Sequence, residues 1–116
     1  MSTQLPQTLI FREDNTREGM EFYLFDDKNN LPANLNGASI RIIVWNKKNK
    51  NVIIDDYCTI LQPPNLGRCY YQPKVGEMAT AGEYSVELSP IIFGDGTMDS
   101  LQNMTLIITK TSDTFI

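Results

Sequence analysis

Any chemistry in this 116-residue chain would have to proceed without histidine, which is absent. That removes the commonest general base, the commonest metal ligand and every triad built on imidazole. Carboxylates, thiols and lysines remain, at four places. Asp55 and Asp56 are adjacent, so on a strand they point to opposite faces and cannot act together as acid and base. "GDGTMD", from Gly94 to Asp99, looks superficially like a calcium loop. It lacks the spacing of oxygen ligands and the closing glutamate, so Asp95 and Asp99 read as turn residues. Cys58 and Cys69, with ten residues between them, are too few for a disulfide framework. A bridge between adjacent strands is geometrically conceivable, while in a reducing compartment the pair reads as small buried hydrophobes. There is no glycine-rich phosphate loop, nucleophile elbow or metal-spaced cluster. The expectation is no enzyme, no cofactor and no metal.

The fourth place is "NKKNKN", where Lys47, Lys48 and Lys50 crowd a stretch that reads as a polar hairpin tip. Charge is segregated around it. Residues 28–50 carry Lys28, Arg41, Lys47, Lys48 and Lys50 and no acid, whereas residues 13–27 carry Glu13, Asp14, Glu18, Glu21, Asp26 and Asp27. A lysine tip is ordinarily solvated and discourages edge-to-edge sheet growth. Its functional reading is a basic edge that meets an acidic edge of a neighbouring copy, orienting assembly more than strengthening it. Nucleic-acid binding would need arginines and interleaved aromatics, which the tip lacks. With a net charge of −4 there is no general pull toward nucleic acid or anionic lipid. No apolar run approaches the ~18 residues that span a membrane. The N-terminal stretch lacks the basic start and apolar run of a secretory signal, which predicts a chain made and folded in a cytoplasm.

The elements that must position these groups are strands. Apolar residues recur with period 2, punctuated by turn residues about every 8 to 15 positions. Strands are expected over residues 7–13 and 17–25, the second alternating Met20, Phe22 and Leu24 with Glu21, Tyr23 and Phe25. "DDKNNLPANLNG" reads as an exposed connection. "ASIRIIVWN" is apolar on both faces, as in a central strand or one covered on both sides. "VIIDDYCTIL" returns from the lysine tip, "QPPNLG" turns, "GRCYYQP" is short and aromatic, and "KVGEMATA" has room for one helical turn only. "GEYSVELSP" then leads through "IIFGDGTMDS" into a last strand, "LQNMTLIITK". Seven or eight strands in one domain spanning residues 1–116, with short extended termini, predict an all-β fold. The specific expectation is an immunoglobulin-like, two-sheet antiparallel β-sandwich. About 65% of the unfolded surface can be buried at this length, enough for a core without staples.

"MATAGEYSV" sharpens that expectation. In immunoglobulin-type sandwiches the chain crosses between sheets just before the penultimate strand. A tyrosine near the start of that strand turns inward, and its hydroxyl bonds to upstream backbone. Gly82 fits the bend, Tyr84 the pin, and Val86 the position where antibody domains carry their second cysteine. Trp45 then reads as core or sheet-face packing. In "PIIFGDGTM", Ile91, Ile92, Phe93 and Met98 sit beside the glycines of a loop; they fold back on the core or mark an interface.

The order of these pieces, "REGMEFYLFDDKNNLPANLNGASIRIIVWN…NLGRCYYQP…MATAGEYSVELSP…MTLIITK", resembles the N-terminal domain of phage baseplate upper proteins and related small immunoglobulin-like phage proteins. The carrying positions are Leu35, Gly37, Ala38, Ile40 and Ile42, then the lysine-rich hairpin, Gly67 and Tyr71, and Ala81, Gly82 and Tyr84. The likeness runs from about residue 8 to residue 110. The known baseplate proteins continue into long helical or stalk segments, where this chain stops, so the resemblance does not place it on a particle. It implies a virion structural protein, made in the cytoplasm of a bacterial host, that works by contact with other virion proteins and copies of itself. A baseplate or tail component leads; a capsid decoration or head-fibre base is the alternative. Contact residues are then expected at Ile92, Phe93, Met98, Lys47, Lys48, Lys50 and the two termini. A reading of another class is a carbohydrate-binding module for host-surface glycans. It requires an exposed aromatic platform drawn from Tyr23, Trp45, Tyr70 and Tyr71.

Overall fold

The computed structural model describes residues 2–3 and 8–110. The N-terminal edge of the first expected strand and the tail "TSDTFI", with the termini as contact sites, lie outside the described residues. Among the described residues nine strands follow in order: β1 (Ser2–Thr3), β2 (Thr8–Arg12), β3 (Met20–Phe25), β4 (Ser39–Asn46), β5 (Val52–Tyr57), β6 (Thr59–Ile60), β7 (Arg68–Tyr71), β8 (Gly82–Ile92) and β9 (Met98–Thr109). They form a four-stranded sheet, β1-β3-β7-β6, and a five-stranded sheet, β2-β9-β8-β4-β5. Two sheets enclose one apolar core, as in a β-sandwich. Among the described residues every pairing is antiparallel except that of β2 on β9, which is parallel.

Alternation explains the layering. Met20, Phe22 and Leu24 of β3 are buried, as are Ile40, Ile42 and Val44 of β4, while their neighbours point outward. Tyr84, Val86 and Leu88 of β8 and Met104, Leu106 and Ile108 of β9 complete the inner face of the larger sheet. β4 lies between β8 and β5, and Ile43 and Trp45 on its outer face are half-buried. The lysine-rich stretch is a hairpin tip closed by Asn46 N–H to Asn51 O at 2.8 Å and Lys50 N–H to Asn46 O at 2.8 Å. "KVGEMATA" forms a single turn, with Glu77 N–H donating to Lys74 O, and it buries Met78 completely.

Two boundaries differ from expectation. β8 and β9 are longer, and the connection between them is only residues 93–97. Ile91, Ile92 and Met98 are therefore strand residues rather than loop residues, and Ile91 is buried. The return strand from the lysine tip also splits: β5 stays in the five-stranded sheet, while β6 joins the four-stranded one.

Candidate functional site

The chain leaves β7 in one sheet and enters β8 in the other through residues 72–81. At that entry the Tyr84 ring is buried, and its hydroxyl donates to Thr80 O at 2.7 Å. Gly82 has φ of 156°, a backbone that L side chains rarely adopt, and a Cβ there would lie 3.6 Å from the Tyr84 ring. Val86 is fully buried opposite Val44. Ring, bend and core residue thus form one corner that fixes where β8 begins.

The lysine tip is tied down beside that corner. Lys47 Nζ reaches Glu83 Oε1 at 3.2 Å and Thr105 Oγ1 at 3.0 Å. Lys50 Nζ lies 4.9 Å from the Trp45 ring centroid and donates to Lys47 O. Asn46 Oδ1 accepts from Lys48 N–H and Asn49 N–H, so the side chain at the hairpin entry holds its own turn.

The β8–β9 turn occupies the other end of the larger sheet. β4 runs from Ser39, paired with Ile92, to Asn46, paired with Tyr84. At ~3.3 Å per residue the two ends stand ~23 Å apart. Phe93 N–H donates to Thr97 O at 2.8 Å and closes the turn, with Phe93 packed back against the core. Met98 is 68% exposed and Ile92 is partly exposed. Phe93 and Met98 line a shallow cleft of about 720 Å³ together with Asp26, Asp27, Asp95 and Asp99, and Lys28 is its single cation among the described residues. The sequence had separated Asp26 and Asp27 from the expected contact loop by more than sixty positions, and only the sheet packing brings them together. Asp95 Oδ1 accepts from Thr97 Oγ1 at 2.6 Å and Thr97 N–H at 3.0 Å, which holds its carboxyl below the usual aspartate range. It is a turn residue. Among the described residues, no group of three or more His, Cys, Asp or Glu side chains could hold a metal ion.

Asp55 and Asp56 serve different partners. Asp55 takes both Nε and Nη2 of Arg41, at 2.8 and 2.7 Å, on the outer face, and Asp56 pairs with Lys74. The four aromatics of the glycan reading do not share a surface. Tyr71 is buried and its hydroxyl donates to Glu77 Oε1 at 2.7 Å; burial first, then that carboxylate, push the phenol up. Trp45 lies on the outer face of the five-stranded sheet, its indole N–H 3.4 Å from Glu87 Oε1. Tyr23 and Tyr70 lie on the outer face of the other sheet, on adjacent strands paired Glu21↔Tyr70 and Tyr23↔Arg68. The chain matches no protein-family model and none of the curated proteins.

Proposed function

We propose that this chain is a phage virion structural protein that works by protein–protein contact, built on an immunoglobulin-like sandwich. The observation that carries the reading is the strand order, taken with the order of motifs along the chain. β1-β3-β7-β6 corresponds to the A-B-E-D sheet of that architecture, and β9-β8-β4 to G-F-C, with β5 and β2 as added edges. Tyr84 then stands at the start of the F-equivalent strand, bonded to backbone four residues upstream. Within this reading a baseplate or tail component leads, and capsid decoration or a head-fibre base is the alternative. The contacts are the two ends of the larger sheet: a lysine tip at one, and an acidic cleft edged by Met98 at the other. Shape-matched burial repeated by symmetry lets many modest contacts sum. Quantitative mass spectrometry of purified virions tests this. A fixed stoichiometry with tail proteins is expected, and absence from particles overturns it.

Glycan binding remains the second reading, favoured by one observation. Tyr23 and Tyr70 are diagonal neighbours on an outer sheet face, flanked by Glu21 and Arg68. Titration with host-wall glycans would show saturable binding that Tyr70→Ala abolishes.

A further inference from the structure

The contact reading leaves the two thiols unused, and their placement is specific. Cys58 N–H donates to Ile40 O at 2.8 Å, tying Cys58 to the five-stranded sheet. Two residues later Ile60 pairs with Cys69, and Leu61 N–H donates to Arg68 O at 2.9 Å, inside the four-stranded sheet. Cys58 is therefore the point at which the chain changes sheets. Cys69 is fully buried in the core, and the partly buried Cys58 packs against that same cluster. Both side chains belong to the same core, and Cys58 stands two positions along the chain from Ile60, the residue opposite Cys69.

We propose that Cys58 and Cys69 are a latent disulfide site, closed by a low-molecular-weight disulfide once the chain meets an oxidising environment. The more accessible Cys58 thiolate attacks one sulfur of the small disulfide, forming a mixed disulfide and releasing one small thiolate. The Cys69 thiolate then attacks Cys58 Sγ, the protein S–S bond forms and the second small thiolate leaves. Two electrons pass to the small disulfide, and the two cysteine protons end on the two released thiols. The balance needs no other reactant.

The same packing sets the rate. Contact with the Cys69 thiol, then burial, push the Cys58 thiol far up, so little thiolate is available and closure of the folded chain is slow. A glutathione-reduced cytoplasm leaves both thiols free. Once formed, the bond closes a short loop across the sheet crossover and removes freedom from the unfolded chain.

The inference does not depend on the virion reading, and its test uses the purified full chain. The folded protein is incubated with oxidised glutathione well below its thermal midpoint. Intact mass, thiol alkylation under denaturing conditions and thermal unfolding are then read. The expected product is a monomer lighter by two hydrogens, with no alkylatable thiol and a midpoint raised by several degrees. Dithiothreitol should reverse the shift, and Cys58→Ala should show neither the mass loss nor the shift. Two thiols still alkylatable after prolonged exposure, a retained glutathione adduct, a covalent dimer, or a disulfide that leaves the midpoint unchanged or lower would each overturn it.

Discussion

Tyr84 is the residue on which the corner depends, and its two functions can be separated. The ring fills the core, and the hydroxyl satisfies Thr80 O at 2.7 Å. Tyr84→Phe keeps the ring and leaves a carbonyl unpaired, at a cost of about 1–2 kcal/mol. Tyr84→Ala also opens a cavity and should cost about 3–5 kcal/mol. Tyr23→Phe, which loses only the bond to Glu21 at 3.1 Å on an exposed ring, should stay within about 0.5 kcal/mol. Urea unfolding of the three variants ranks them, and Tyr84→Phe as harmless as Tyr23→Phe would deny the pin. A second residue-scale effect is acid sensitivity. The Arg41 guanidinium bonded to Asp55, and the Lys74 ammonium with Tyr57 N–H at Asp56, hold both carboxyls below the ordinary value of 3.8. A depressed folded-state pKa adds stability that is present above the unfolded value and lost as pH falls through the folded one. The thermal midpoint should therefore drop on acidification below about 3.8, and Asp55→Asn should flatten part of that drop. Asp55 is exposed and Asp56 is partly so, and solvent screens the gain.

At the scale of elements, legibility followed the regularity of the strands. In β3 the alternation of Met20, Phe22 and Leu24 with Glu21, Tyr23 and Phe25 runs unbroken, and its inward face was readable from that period of two. In β8 the register shifts between Val86 and Leu88 and again between Leu88 and Ile91, so the buried residues lose their period of two. Pro90, which lacks a donor, reads as a strand end but sits inside that irregular stretch, where β8 continues to Ile92. The cleft was unreadable for a different reason: Asp26 and Asp99 line it together only through the packing of the two sheets, which no local pattern shows. The turn before β7 gives the prediction at this scale. Gly67 caps the short 3-10 turn Pro64–Leu66 at φ 67°, and a Cβ there would sit 2.4 Å from Leu24 O. Gly67→Ala therefore meets both the left-handed penalty and a backbone clash, for more than about 2 kcal/mol. Because Leu24 N–H donates to Gly67 O at 2.8 Å, the loss should appear first as faster hydrogen exchange at Leu24. Exchange unchanged there, with full stability, would mean the turn is looser than its packing implies.

For the molecule as a whole, the decisive feature is that its two candidate contact regions lie at opposite ends of one sheet and carry opposite charge. Glu83 already offsets Lys47 at the tip, and Lys50 lies over the Trp45 ring and donates to Lys47 O, which leaves Lys48 to face outward partners. At the other end four aspartates against Lys28 line the cleft. If the proposed contacts join copies of this chain, two different surfaces that complement each other would give a head-to-tail contact, which closes into rings or runs on as a chain rather than stopping at a symmetric dimer. Surface charge pairs contribute little each, about 0–1 kcal/mol, so the exposed Met98 side chain must supply apolar area while the charges set orientation. Sedimentation of the purified chain should then show an average mass that rises with concentration in low salt. It should fall back toward the monomer as the Debye length shrinks to a few ångströms. Lys48→Glu reverses charge at the tip, and Met98→Lys places a cation where the tip of the next copy would dock. Each variant alone should remain monomeric. Their mixture should form dimers and stop there, because one intact end from each partner can still meet while the remaining two cannot. A mixture that behaves like either variant alone, or a wild-type mass indifferent to salt, would remove the poles from the assembly and leave the contact surface to be sought on the sheet faces.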